Sequence, residues 1–159
     1  MAYLTTSDYL LQIQDVNLQQ IINSNEAIRD QANLLAVAEA RSFLISKYNI
    51  DTELAKTGSA RDPQLLSKIV DIALYHLHQR IAPRNIPELR VNNYMGLPEH
   101  ATVVQGKVRY PMHSALGWLQ ACVDGTDITP NLTLLVDADG NKLGNQIRSG
   151  GNKKNINSY

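Results

Sequence analysis

Asp62-Pro63-Gln64-Leu65-Leu66-Ser67-Lys68-Ile69-Val70-Asp71-Ile72-Ala73-Leu74-Tyr75-His76-Leu77-His78-Gln79-Arg80-Ile81-Ala82-Pro83 is the stretch whose reading decides the fold. Asp62 carries a side chain suited to capping a helix start. Pro63 fits the first turn, because its missing N–H has no intrahelical partner there. Pro83 stops the element. The stretch therefore predicts a helix over about 63–82, with Leu66, Ile69, Val70, Ala73, Leu77 and Ile81 as its buried face.

Upstream, a second long helix is expected from about Asn25 to Tyr48-Asn49, with Ser24 or Asn23 as cap and Glu26 in the favourable first turn. Ile28, Ala32, Leu35, Ala38, Ser42 and Ile45 recur at helical steps and predict a buried stripe, widened by Leu34, Val37 and Leu44. Before it, Thr5 and Asp8 have capping-box spacing for a short helix over about 6–13. Asp15 heads another piece carrying Val16, Leu18, Ile21 and Ile22. Residues 50–62 read as a connection.

Downstream, Pro83, Pro87, Gly96 and Pro98 break the chain into short pieces, one of them a helix at about 87–94. Thr102-Val103-Val104 and Lys107-Val108-Arg109-Tyr110 flank Gln105-Gly106 and predict a small hairpin or extended arm. Two strands alone are marginal in water, so this arm needs a surface to lie on. A third long helix is expected at about 111–124, opened by Pro111 and closed by Gly125, with Met112, Ala115, Leu116, Leu119 and Val123 on one face beside Trp118. Gly117 within it suggests a close helix–helix approach. Thr133–Val136 reads as one strand, with a turn at Asp139-Gly140 or Gly140-Asn141. The expected fold is mainly α: a small helical bundle (1–125) with an inserted arm at about 94–110, followed by an extended hairpin and C-terminal tail (126–159).

Composition narrows the function classes. Apolar residues make up 43% and charged residues 19% of 159, which suits a soluble globular domain and not a disordered chain. Lys plus Arg and Asp plus Glu number 15 each, so the basic excess typical of a phosphate-gripping protein is missing. The single cysteine, Cys122, cannot form an intramolecular disulfide and reads as a small apolar helix residue in a reducing compartment. Met1–Tyr9 lacks signal-peptide character, and no run approaches the roughly 20 apolar residues that span a bilayer, so a cytoplasmic product with no membrane partner is expected.

Motifs for chemistry fail in detail. Asp137-Ala138-Asp139-Gly140-Asn141 matches the start of a calcium loop, but the sixth position is Lys142 and the twelfth is Arg148, where Gly and Glu belong. His76 and His78 lie two apart on a helix and do not face each other; His100 and His113 are isolated. No glycine-rich phosphate loop appears, and no nucleophile–base pairing can be read from spacing. The expectation is a non-enzyme without catalytic, metal or cofactor residues. Tyr75, His76, His78, Gln79 and Arg80, extended by Arg84, Arg90, Lys107 and Arg109, suggest a basic surface, diluted by Asp51, Glu53, Asp62, Asp71 and Glu88.

From Gly144 the chain is polar and cannot by itself bury enough apolar surface to offset its ordering entropy. Ile156 and Tyr159 within it suggest anchors for docking on another protein. The candidate assembly interface is therefore Val103, Val104, Val108 and Tyr110 of the arm, with Asn152, Lys153, Lys154, Asn155, Ile156 and Tyr159 of the tail.

Met1-Ala2-Tyr3-Leu4-Thr5 followed by Asp8, the block Asp71–His78 with Arg80, and Arg109-Tyr110 followed by Ala115, Leu119 and Gly125 resemble, in that order, the head–tail connector (adaptor, head-completion) proteins of tailed bacteriophages. The tail Ser149–Asn155 is similar to polar endings of some members. The resemblance implies a helical-bundle virion protein, assembled in the host cytoplasm, that forms a ring with copies of itself, expected as a dodecamer. Such a ring contacts the portal above and a stopper or tail protein below. It lets DNA through its channel without specific binding, which a near-neutral chain suits. The long 94–110 segment and the long C-terminal region depart from the simplest members. The alternative class is a helical DNA-binding or regulatory protein, favoured if the cations gather on one face; a small hydrolase ranks last.

Overall fold

In the computed structural model, which describes residues 3–104, 106–125, 130–140 and 142, the helices follow as α1 (Thr6–Tyr9), α2 (Asp15–Ile22), α3 (Glu26–Leu44), α4 (Ile50–Leu54), α5 (Pro63–Ile81), α6 (Glu88–Tyr94) and α7 (Ala115–Asp124). Strands β1 (Thr102–Val104) and β2 (Lys107–Arg109) lie between α6 and α7. The protein is a mainly helical bundle with a hairpin inserted before its last helix.

The Asp62 carboxylate accepts from Leu65 N–H at 2.8 Å, and Pro63 fills the first turn of α5. This helix is the axis of the bundle, touching α1, α2, α3, α6 and α7. Enclosure on so many sides explains why its buried surface is broader than the predicted stripe. Leu65, Ile69, Val70, Ile72, Ala73, Leu74 and Leu77 are all buried, each large aliphatic contributing about 2 kcal/mol. Leu66 is only half-buried and Ile81, in the last turn, is exposed.

The buried row of α3 differs from the predicted one. Ala32, Ala36, Ala40 and Leu44 are inside, with Asn33 beside them, while Leu34, Leu35 and Ile45 are 72%, 58% and 41% exposed. The principal neighbour of α3 is α5, and small side chains let two helix backbones approach. Ala32 and Leu44 of the predicted stripe are buried and Ile28 and Val37 pack against the core, but a hydrophobicity pattern ranks leucine above alanine and so adds Leu34 and Leu35 while passing over Ala36 and Ala40. The helix also ends at Leu44, short of Tyr48. Lys47 Nζ donates to the carbonyls of Cys122 and Val123 at 2.7 and 3.1 Å, and Tyr48 OH donates to that of Cys122 at 2.9 Å. These bonds satisfy the last turn of α7 and draw the chain away from the axis of α3.

The expected connection at 50–62 contains α4, whose Ile50 and Glu53 are buried. The Glu53 carboxylate accepts from Thr133 N–H (3.0 Å), Thr133 Oγ1 (2.7 Å) and Lys56 Nζ (2.7 Å). Backbone bonds from Asn49 to Thr133 and from Leu135 to Lys47 lay this segment along residues 47–49. The expected strand at 133–136 is thus two isolated bridges, Tyr48 with Leu134 and Val136 with Lys142. The Asp137–Gly140 turn is closed by Gly140 N–H to the Asp137 carbonyl and by Asp139 N–H to the Asp137 carboxylate.

Helix α7 begins at Ala115, with Ser114 as its cap; Ser114 Oγ accepts from Gly117 N–H at 3.1 Å and donates to the Pro111 carbonyl at 2.7 Å. Pro111 therefore sits in the preceding turn rather than in the helix, and Met112 is 45% exposed. Gly117 does mark a close approach, but to the Tyr110–Pro111 backbone and not to a helix. Cys122 is fully buried, and burial pushes its thiol up to about 12, so it stays protonated at neutral pH.

Asp71 lies in the buried face of α5, 6% exposed, with Asn93 Nδ2 donating to it at 3.1 Å. Desolvation pushes its carboxyl up to about 6, against the opposing pull of Lys68, Asn93 and Arg90. A carboxyl whose folded value is raised binds more protons folded than unfolded between about pH 4 and 6, so stability falls as pH rises through that window. Asp71→Asn keeps the bond to Asn93 and removes the penalty. It is expected to stabilise the fold by about 2 kcal/mol at pH 7 and to have little effect near pH 4, measured by urea denaturation at both.

Candidate interaction surface

β1 and β2 pair antiparallel, with Thr102 opposite Arg109, Val103 opposite Val108 and Val104 opposite Lys107. Directly opposed residues share a face, so Val103 and Val108 form an apolar side. All six strand residues are exposed; Val103 is 71% and Val108 47% accessible. The base of the hairpin is fixed to α7. Arg109 pairs with Asp124 at 2.6 Å, and Gln120 bonds to Tyr110 N–H (3.2 Å) and the Val108 carbonyl (3.3 Å). A groove of about 390 Å³ separates the hairpin from the body, lined by Ser42, Phe43, Val104, Val108, Gln120 and Val123 among others.

The structure thus brings Val103, Val104 and Val108 together on an exposed arm. Tyr110 is not on that exposed face: it is half-buried and packs against the core. Asn152, Lys153, Lys154, Asn155, Ile156 and Tyr159 lie outside the described residues.

Sequence reasoning placed Leu34 and Leu35 inside; they form a second exposed apolar surface, on α3. At helical spacing Glu26, Asp30 and Leu34 stand in one row. Glu26 and Asp30 are 52% and 57% exposed, whereas Arg29, which pairs with both, is only 14% exposed. On the N-terminal side of Leu34 these two carboxylates are exposed, and on its C-terminal side Arg41 is 45% exposed and paired with Asp51. The signal that finds this face is the uninterrupted four-residue step of Ala32, Ala36, Ala40 and Leu44, which marks the opposite side as the packed one.

The predicted basic surface is largely consumed inside the molecule. Arg90 is buried and donates to the Gln12 carbonyl at 3.2 Å, Arg109 pairs with Asp124, and His78 Nδ1 lies 2.8 Å from the Leu74 carbonyl. His76 Nε2 is 3.0 Å from Glu39, which also accepts from Tyr94 OH at 2.6 Å; the Tyr94 ring stacks on Tyr75 at 4.0 Å. Burial pushes the Glu39 carboxyl up, but the bonds from His76 and Tyr94 outweigh it and hold it below the ordinary carboxylate range. Of the cations in the predicted set, the side chains of Arg80, Arg84 and Lys107 make no hydrogen bond or ion pair among the described residues.

Among the described residues no group of three or more His, Cys, Asp or Glu is placed to hold a metal ion, and no helix is long and apolar enough to cross a membrane. Comparison with protein-family models, curated proteins and solved structures gives no match to this chain.

Proposed function

We propose that the chain is a structural assembly protein that works as one copy in a ring, an adaptor between the portal and the tail or stopper protein of a tailed phage. The observation that carries this reading is the hairpin: six strand residues, all exposed, with Val103 and Val108 paired on one side. An arm of that size is marginal in water unless another surface covers it, and the body of the chain leaves its valine side open. The helical bundle, the balanced charge and the resemblance of residues 1–8, 71–80 and 109–125 to connector proteins support the same reading. Binding to neighbours would stabilise each copy by mass action.

The test is immunogold electron microscopy of intact particles with antibodies to this chain, beside negative-stain images of the purified protein. Label at the head–tail junction and closed rings are the expected results. A chain absent from purified particles, and monomeric at every concentration, overturns the proposal.

A further inference from the structure

On the reading that copies of this chain assemble, we infer that the free edge of β1 receives the C-terminal segment of the neighbouring copy, within residues 143–159, as a third strand. The two edges of the hairpin differ. Gln120 of α7 lies along β2: its Nε2 donates to the Val108 carbonyl at 3.3 Å, and its Oε1 accepts from Tyr110 N–H at 3.2 Å. One side chain thus imitates a paired strand, and β2 also carries Lys107 and Arg109, charges that discourage further pairing. Because the Val108 carbonyl points away from β1, Val103 and Val108 are a non-hydrogen-bonded pair, and the N–H and carbonyl of Val103 point outward too. No hydrogen bond among the described residues reaches either group. β1 itself is Thr-Val-Val, β-branched throughout, with no charge, proline or bulge to guard its edge. Such an edge recognises the backbone of an extended segment.

Backbone, length and charge name the occupant. Residues 143–159 contain no proline, so each can donate to a ladder. Fully extended, these 17 residues span about 55 Å, twice the length of α5 at about 28 Å, which carries them past their own bundle. Residues 142–159 hold Lys142, Arg148, Lys153 and Lys154 and no carboxylate, so residues 1–141 carry four more acids than bases. Glu99, just ahead of β1, is exposed, and its side chain makes no hydrogen bond or ion pair among the described residues. Ile156 is the apolar side chain that extends the Val103–Val108 row across the added strand. Edge and tail are different patches, so each copy gives one and receives on the other, the head-to-tail arrangement that closes into a ring when the rotation allows.

Full-length variants test the pairing, with sedimentation velocity reading association and amide hydrogen exchange reading Val103 and Val104 separately. Val103→Pro removes only the outward N–H and leaves the β1–β2 ladder its bonds. Asn155→Pro with Ile156→Pro removes a donor from each edge of the tail and touches no described residue. Each is expected to weaken association about 10-fold or more, and the two combined no further than either alone, because both act on one contact. The tail variant is also expected to speed exchange at Val103 about 100-fold while leaving Val104, bonded within the hairpin, unchanged. Lys153→Glu with Lys154→Glu weakens association, and Glu99→Lys in the same chain restores it. A natural chain that associates while Val103 exchanges freely, or a combined variant weaker than both parents, overturns the pairing and leaves a ring made through other surfaces intact. A tail variant that loses only a salt-dependent shift of duplex DNA assigns the tail to nucleic acid and also overturns it. A natural chain that stays monomeric with Val103 protected places the tail on its own edge, and overturns both the exchange between copies and the ring.

Discussion

Gly117→Ala should lower the thermal unfolding midpoint by about 10 °C, read by circular dichroism. In the middle of an ordinary helix the same change stabilises by about 1 kcal/mol, so even the sign is informative. Here an added Cβ would stand 2.0 Å from the Pro111 carbonyl oxygen, 2.6 Å from its carbon and 2.8 Å from the Tyr110 carbonyl oxygen. All three are backbone atoms and no rotamer change relieves them. The proline cannot retreat either, because its ring lies against Gly96, where a Cβ would be 2.4 Å from Pro111 Cγ. Moving the 110–111 backbone outward breaks the Ser114 bonds to Pro111 and the Gln120 bond to Tyr110. Overpacking of this kind costs about 3 kcal/mol and a disrupted cap about 1. A chain of this size loses about 3 °C per kcal/mol. A variant as stable as the natural chain would show that the 110–111 backbone yields to the added methyl without breaking these bonds.

Asp8→Ala should cost about 3 kcal/mol at pH 7 in urea denaturation. The Asp8 carboxylate meets the Arg61 guanidinium through two bonds of 2.8 Å, and the two side chains are only 8% and 10% exposed. Arg61 also donates to the Tyr3 carbonyl at 2.7 Å, so the pair joins the first turn of the protein to the approach to α5. Removing the acid leaves a cation with little access to water, which is the costly half of breaking a buried pair. Replacing both partners, Asp8→Leu with Arg61→Met, is expected to recover most of the loss. Burial pushes the Asp8 carboxyl up, but bonds from Arg61 and Thr5 outweigh it and hold it below the ordinary range. A depressed carboxyl contributes stability that is complete above its unfolded value near pH 4 and is lost as pH falls through the folded value. The natural chain and Asp8→Ala should therefore converge in acid. A gap that persists unchanged at pH 2 would assign the loss to packing instead.

Local signals with a single physical cause are legible in the sequence alone. Asp62-Pro63 starts α5, Gly125 ends α7, and Gln105-Gly106 separates two strands, because capping and turn chemistry act over three or four residues. Burial is decided over longer distances, and there the reading failed at particular places. The leucines of α3 outrank its alanines in hydropathy, yet Ala32, Ala36 and Ala40 are buried while Leu34 and Leu35 are exposed. Glu53 reads as a surface acid until Thr133, eighty residues on, brings its two donors. Arg90 and Arg109 looked available for a partner, and both are engaged within the chain. Val103, Val104 and Val108 are exposed because a hairpin that short has no inside.

Gly96 and Gly117 hold Pro111 between them, one on its ring and the other on its carbonyl. The excursion from 97 to 110 thus leaves and rejoins the bundle beside this clip, and beyond it the hairpin is held to α7 through Arg109 and Gln120. Doubling the length of such a loop costs only about 0.6 kcal/mol of closure entropy. A longer or shorter hairpin tip is therefore tolerated by the bundle at little cost, provided that Gly96, Pro111 and Gly117 keep their contact.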